Sequence, residues 1–463
     1  MSDPADLGVV EAASLLARRG LSASELAAAC LTRIRTRDGT PSHDGDPGSV
    51  NAWVRVYEED ALAAAGLADA RLSAAAVRHD GPAPALCGIP IGLKDLYAVA
   101  GKPLTASSRL LHELPERDCD VWAALSAAGM VLLGHLHTHE FAVGGTTDQV
   151  GNPWALDRSA GGSSGGSAAA LAARMVPAAT GTDTAGSLRI PSALCGTSTI
   201  KPTRGLVSLE GVVPLAASLD HAGPMARTLA DCALLLAAMT GNDPGRAPAR
   251  PLAGARIAVS PRVAAVSLDP DVGEGFESVL DLCVRLGAAL VEPPPPAVAL
   301  DLGDDFLDVL CSELLAFHRR YDGRRELYRP SLREWVELAG RRALSPEDYA
   351  AAQARRRELA AAWESWLARE RIDAVAEPTV PVVAPRRGDG YDHARSDAEL
   401  ISLTHYWDWT GFPVVAFPAG LGSRSGLPVG VSLVGRAGAD WALLAAGGEL
   451  QAGLGVPAPP LAA

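Results

Sequence analysis

GGSSGGSAAALAARMVPAATGTDTAGSLRIPSALC, residues 161–195, decides how this chain is read. It opens on a Gly/Ser-rich turn, runs into an alanine-rich stretch of helical character, and closes on a second turn, TDTAGS. Glycine costs backbone entropy and is kept where the chain takes unusual dihedrals or comes close to a ligand. Two such turns, each presenting a serine, with a helix between them, read as a catalytic serine site. A serine nucleophile needs exposure on a tight turn, a base, and donors for the oxyanion. Ser187 follows Thr184, Ala185 and Gly186, whose successive N–H groups can converge on one point. One such donor lowers a barrier by about 3–4 kcal/mol. Asp183 and Arg189 flank the turn and can brace it as an ion pair. A tetrapeptide TAGS alone would more often be a loop closing a helix; the 35-residue context argues otherwise.

Composition bounds the rest. The chain has 463 residues, 48% hydrophobic and 21% charged, as in ordinary globular proteins. The net charge of −13 and the lack of a basic run argue against nucleic acid or an anionic membrane as the main partner. Seven cysteines, odd in number and without a CxxC pair, fit a reducing compartment. The N-terminus lacks a basic, apolar leader, and no apolar run is long enough to span a membrane, so a cytoplasmic location is expected.

Periodicity gives an α/β architecture. Val9, Ala12, Leu15 and Leu16 make one amphipathic stripe, and Leu26, Cys30, Leu31 and Ile34 another, capped by Ser22 or Ser24. A further helix is expected over Asn51–Arg71, and one over Val121–Ala128. Leu86–Leu93, Val131–Gly134, Val375–Val383, Pro413–Ala419 and Val429–Val434 are short apolar runs suited to buried strands. Ser331–Arg369 reads as a charged surface pair of helices, and Gly241–Pro251 and Pro293–Pro296 as loops. Strands alternating with helices indicate a largely buried sheet.

The base is Lys94 or none. It ends the apolar run GIPIGL, and burial there disfavours the ammonium. Lowering its pKa from about 10.4 to near 7.5 costs roughly 4 kcal/mol, a plausible demand on a site. An ordinary lysine reaching from a strand end and paired with Asp95 is the competing reading.

GIPIGLKD (88–95), GGSSGG (161–166) and TDTAGSLRIP (182–191), in this order and spacing, resemble the amidase signature family of serine hydrolases. The flanks LHTHEFAVGGTT, IKPTRGLVSLEGVVPLAASLDHAGPMART and SGLPVGVSLVGR extend the resemblance over roughly residues 20–450. It implies that Lys94 is the base, Ser163 a bridging serine on a cis peptide that relays the proton, and Ser187 the nucleophile. It also implies an oxyanion hole from the N–H groups of Thr184, Ala185, Gly186 and Ser187. The implied fold is one α/β/α domain, residues 1–463, around a large mixed sheet. Its helical part would cover about 1–80, its signature core about 85–235 and its C-terminal part about 250–455. The implied activity is amide hydrolysis through an acyl-enzyme, without metal or cofactor, on a small-molecule amide, with neither nucleic acid nor membrane as partner and a homodimer left open. The alternative is the glutaminase subunit of a tRNA-dependent amidotransferase, passing ammonia to a partner.

Two positions depart from the family pattern: Ala185 stands where glycine is usual, and Asp408 where asparagine is usual before Gly411-Phe412-Pro413. His405, Tyr406, Trp407 and Trp409 around Asp408 either line a pocket or pack the core. Gly162, Asp183, Trp407 and Trp409 are taken as candidate substrate-binding residues.

Other motifs are weaker. GGSSG fits the G-x-S-x-G elbow, which would make Ser163 the nucleophile, but the elbow needs a preceding apolar strand and NPWALDRSA does not read as one. Ser198–Lys201 fits S-x-x-K without the companion motifs of penicillin-recognising enzymes. His135, His137 and His139 alternate as zinc ligands would, yet more often such rings bond to backbone at a strand end. The glycine turn lacks the Lys-Ser/Thr of a phosphate-binding loop.

Overall fold

Short apolar strands interleaved with helices build one large mixed sheet. The computed structural model describes residues 3–78, 83–242, 252–388, 397–455 and 457–459. The strands are β1 (Trp53–Val56), β2 (Pro90–Lys94), β3 (Val131–Leu136), β4 (Gly151–Asn152), β5 (Ala155–Ser159), β6 (Ala178–Asp183), β7 (Ser198–Lys201), β8 (His221–Ala226), β9 (Arg256–Val259), β10 (Ala289–Val291), β11 (Ala374–Pro378), β12 (Val414–Leu421) and β13 (Pro428–Val434). The helices are α1 (Val9–Ala17), α2 (Ala23–Arg37), α3 (Glu58–Arg78), α4 (Asp120–Ala127), α5 (Gly165–Ala172), α6 (Arg189–Cys195), α7 (Leu229–Thr240), α8 (Pro270–Arg285), α9 (Asp305–His318), α10 (Pro330–Arg342), α11 (Pro346–Arg369), α12 (Asp397–Ile401), α13 (His405–Thr410) and α14 (Asp440–Leu454).

Eleven strands form the main sheet in the order β1-β3-β2-β6-β8-β7-β12-β13-β11-β9-β10. β2 runs parallel to β3 and β6, and β9 parallel to β10 and β11; the other neighbours are antiparallel. Helices cover both faces, as successive residues of β13 show. Val429 packs against Gly275 of α8, and Gly430 sits so close to Ala193 of α6 that a Cβ on it would lie 2.4 Å away. Adjacent strand residues point to opposite faces, so α8 and α6 lie on opposite sides of the sheet. The fold is thus the single α/β domain expected.

Local chemistry sets most of the elements. α2 starts at a capping box in which Ser22 Oγ accepts the Glu25 N–H at 3.1 Å and the Glu25 carboxylate accepts the Ser22 N–H at 2.9 Å. The apolar stripe of α1 buries Val9, Ala12 and Leu16. Three expectations need correction. Asn51–Arg71 is not one helix: the apolar alternation Trp53-Val54-Arg55-Val56 is taken up by the sheet edge beside β3, and α3 starts only at Glu58. Residues 155–159 are a strand, but β4 and β5 form a separate two-stranded ribbon with half-exposed side chains, so no elbow strand leads into Ser163. The helices of Ser331–Arg369 are not merely superficial, since Trp335, Trp363 and Trp366 are buried. Gly241–Pro251 lies almost wholly outside the described residues.

All seven cysteines are unpaired and buried. Burial pushes every thiol up, Cys119 and Cys283 to about 11 and Cys30 and Cys311 to about 12. Among the described residues no helix is long and apolar enough to cross a membrane.

Candidate active site

The parallel pairing of β2 with β6 places the site. Gly92 lies opposite Ala179, so two residues further on Lys94 reaches the same sheet edge as Asp183 and the turn that follows it. Carboxyl ends of adjacent parallel strands are where α/β sheets bind ligands. Lys94 is fully buried. Its Nζ donates to Ser163 Oγ at 2.8 Å, Ser164 Oγ at 2.9 Å and Thr182 Oγ1 at 2.8 Å. Burial pushes its pKa down to about 7, against the pull of Asp183 and Asp220. The simple pairing with Asp95 does not form: that carboxylate instead accepts the Thr105 hydroxyl and the Ser107 N–H.

The Gly162–Ser163 peptide is cis. The Ser163 carbonyl accepts the His139 N–H at 3.0 Å and the Thr147 hydroxyl at 3.2 Å, which fixes the turn before α5. The Ser164 N–H donates to the Ser187 carbonyl at 3.3 Å, joining the two serine turns. Gly162 is tightly packed. A Cβ there would stand 2.0 Å from the Thr146 carbonyl oxygen. Gly162→Ala is expected to destabilise the fold by about 1–3 kcal/mol through overpacking and to lower kcat by displacing Ser163, checked by urea unfolding and ammonia release.

Asp183 leaves the substrate-binding set, because it is fully buried and holds the nucleophile turn from behind. Its carboxylate accepts the N–H groups of Gly186 at 2.5 Å and Leu188 at 3.2 Å. Arg189 grips it with Nε at 2.8 Å and Nη2 at 3.0 Å, and donates from Nη2 to Asp408 at 2.6 Å. Burial alone would raise the Asp183 pKa, but the Arg189 charge and hydrogen bonds hold it below its usual value. Asp408 is pushed well up by burial and then by Asp183. The ion pair expected across the turn therefore forms, with Asp408 as a third member. Since its N–H is taken by Asp183, Gly186 drops out of the expected oxyanion donors. Thr184 is fixed through its hydroxyl, which donates to Asp220 at 2.6 Å.

Trp407 and Trp409 are core residues. Trp407 is fully buried, donates to Glu377 and packs against Trp363, Tyr406 and Phe412. Trp409 lies behind Phe306, with the Arg356 guanidinium over its ring. The histidines do not converge. His135 lies against the Tyr57 hydroxyl and the Tyr97 carbonyl, His137 against Ser107 and the Ser42 carbonyl, and His139 against Ser331.

A narrow cleft opens beside Ser187. Val143, Leu215, Phe306, Leu310 and Trp335 form its walls, and Ala185 lines it next to Ser187. Phe306 and Leu310 come from α9 and Trp335 from α10, none of which the sequence reading singled out. Ser164 and Thr182, the other partners of Lys94, were also missed. Thr180 and Thr182 share one face of β6, a period-two pair of hydroxyls that the sequence does display.

The amidase family profile matches residues 47–444. The chain belongs to the amidase family. It is 35% identical to the A subunit of glutamyl-tRNA(Gln) amidotransferase from Anaeromyxobacter dehalogenans (strain 2CP-C), over 99% of this chain and 100% of that one. Among solved structures it is similar to an amidase (TM-score 0.84, 30% identity, 97% of this chain and 100% of the other). It is also similar to the A subunit of glutamyl-tRNA(Gln) amidotransferase from Thermotoga maritima (TM-score 0.76, 28% identity, 97% and 95%). These amidase-family relatives overturn the expectation of a small amide and at most a second copy as partners, with no nucleic acid. Two of them are subunits of an enzyme named for a tRNA. Net charge is an average over one chain's surface and says nothing of partner subunits.

Proposed function

We propose that the chain cleaves carboxamides through an acyl-enzyme on Ser187, with Lys94 as base and Ser163 as relay. The observation that carries this is a buried lysine, its pKa brought down to about 7, donating at 2.8 Å to Ser163 Oγ on the turn joined to Ser187. Neutral Lys94 takes the Ser163 proton as Ser163 takes that of Ser187. Ser187 Oγ then bonds to the carbonyl carbon, and the carbonyl π pair moves onto oxygen. The N–H groups of Thr184, Ala185 and Ser187 receive that oxyanion. Its collapse breaks the C–N bond, and the proton held on Lys94 returns through Ser163 to the leaving nitrogen. Water repeats the sequence on the ester, releasing the acid and Ser187. A cytoplasmic location suits the unpaired thiols.

Sequence kinship favours a second reading for the ammonia. Relatives named as the A subunit of an amidotransferase match nearly end to end, which supports a glutaminase-type role that hands ammonia to partner subunits working on a tRNA-linked substrate. Two measurements separate and test these readings. A fluorophosphonate probe is expected to label Ser187, and a peptide map that finds the label elsewhere, or nowhere, removes the acyl-enzyme. Glutamine-dependent ammonia release that rises only with partner subunits and charged tRNA establishes the glutaminase role; turnover of simple amides by the purified chain alone establishes a free-standing amidase.

A further inference from the structure

Thr404 stands at the N-cap of α13, the helix that carries Asp408. A threonine in that place ordinarily accepts an N–H of its own helix. No such bond forms here. The hydroxyl crosses instead to the nucleophile turn and donates to the Ala185 carbonyl. Its other acceptor in reach, the Ile401 carbonyl at 3.3 Å, already receives the Thr404 N–H at 3.0 Å and meets His405 Nδ1 at 2.7 Å. Two further contacts seat Thr404 on the turn. Arg189 Nη1 donates to the Thr404 carbonyl at 3.0 Å, and a Cβ on Gly186 would stand 2.3 Å from Thr404 Oγ1. Thr404 is buried, so solvent does not take over the work of its hydroxyl.

One peptide plane is thereby held at both ends. In the Ala185–Gly186 unit the carbonyl takes the Thr404 hydroxyl, and the N–H donates to Asp183 at 2.5 Å. The N–H groups of Ala185 and Ser187 flank this plane, each one Cα away, so any turn of the plane changes the dihedrals that aim them. Gly186, at φ +132°, has no Cβ to resist such a turn. An oxyanion donor contributes only when it is aimed at the place where the charge develops. We propose that Thr404 is a positioning residue for acyl transfer: its hydroxyl fixes the Ala185–Gly186 peptide and so aims the Ala185 and Ser187 N–H groups at the oxyanion. The assignment rests on the acyl-enzyme reading of Ser187. Asp183 fixes one end of the plane and Thr404 the other.

Covalent labelling by a fluorophosphonate separates aim from affinity. Thr404→Val keeps the shape and loses the hydroxyl, and is expected to lower the maximal labelling rate at pH 7.5 about 10- to 100-fold. The probe concentration giving half that rate is expected to stay within about twofold, because the donors act on charge that develops in the transition state. Thr404→Ala is expected to behave like the valine variant, and Thr404→Ser, which keeps the hydroxyl, to label within about threefold of wild type. Equal losses for valine and serine, or a valine rate equal to wild type, overturn the assignment. Failure of both hydroxyl-free variants to fold, read by urea unfolding, makes Thr404 a folding residue and overturns it too. A crystal structure of Thr404→Val is expected to show the Ala185 carbonyl turned from its present direction; an unchanged plane removes Thr404 from the aiming of the donors. If wild-type labelling maps away from Ser187, the acyl-enzyme reading falls, and that crystal structure alone decides whether Thr404 sets the plane.

Discussion

Lys94→Ala lowers kcat/KM for amide cleavage at pH 7.5 by about 10⁴-fold, the upper range for a positioned proton-transfer group. The expectation follows from where the amine stands. Buried and ringed by Ser163, Ser164 and Thr182 hydroxyls, it has no carboxylate among the described residues within hydrogen-bond reach to keep it charged, and burial brings its pKa to about 7. A folded-state pKa below the ordinary lysine value of 10.5 means the fold itself favours the neutral amine, the form that accepts a proton. For the wild-type chain, kcat/KM is therefore expected to climb about tenfold per pH unit below pH 7 and to level off above it. The alanine variant loses that limb. Lys201, which burial also pushes to about 7, does not supply it, because its Nζ faces His221 and the Pro202 carbonyl rather than either serine. Near-normal rates for Lys94→Ala at neutral pH would remove lysine from the proton path.

Arg189→Leu destabilises the fold by about 3–5 kcal/mol, the cost of leaving buried charge without its partner. The guanidinium holds Asp183 bidentately, reaches Asp408 at 2.6 Å and donates to the Thr404 carbonyl at 3.0 Å. All three groups are shut off from solvent. In the wild type Asp183 is held below its usual pKa, so the stability it contributes is present above the ordinary carboxylate pKa and is lost only as pH falls through the lowered one. Without Arg189 both carboxyls are driven up by burial, and the variant's deficit is expected to shrink as pH is lowered from 7.5 toward 5.5. Urea unfolding at the two pH values checks this. A variant as stable as wild type at pH 7.5 would mean that the carboxyls are neutral in the native protein already. Activity is expected to fall further than stability requires, because Asp183 also holds the Gly186 and Leu188 N–H groups that shape the nucleophile turn.

The sequence displayed the chemistry better than its surroundings. Gly/Ser turns and a lysine ending an apolar strand are local patterns, and each lies in the structure where its neighbours predict. The α1 and α2 stripes, and most strand cores, were legible for the same reason: burial on one face imposes a period. What failed depends on distant partners. Trp53–Val56 joins the sheet because β3 offers it an edge, a fact absent from residues 51–71 themselves. Trp407 and Trp409 are aromatic residues beside the brace at Asp408, and only packing tells a pocket wall from a core; Trp363, Phe412 and Phe306 made them core. The walls of the cleft were illegible because Phe306, Leu310 and Trp335 lie more than a hundred residues beyond Ser187, on helices whose apolar stripes look like any others.

The seven shielded thiols have a consequence for covalent chemistry. A cysteine reacts as thiolate, and here burial both suppresses ionisation and blocks approach. Iodoacetamide and maleimides should leave the native chain unmodified, and mild oxidants should spare it. Electrophilic inhibitors built on carbamates or fluorophosphonates would then meet little competition from sulfur, so one adduct per chain would report on the serine site alone.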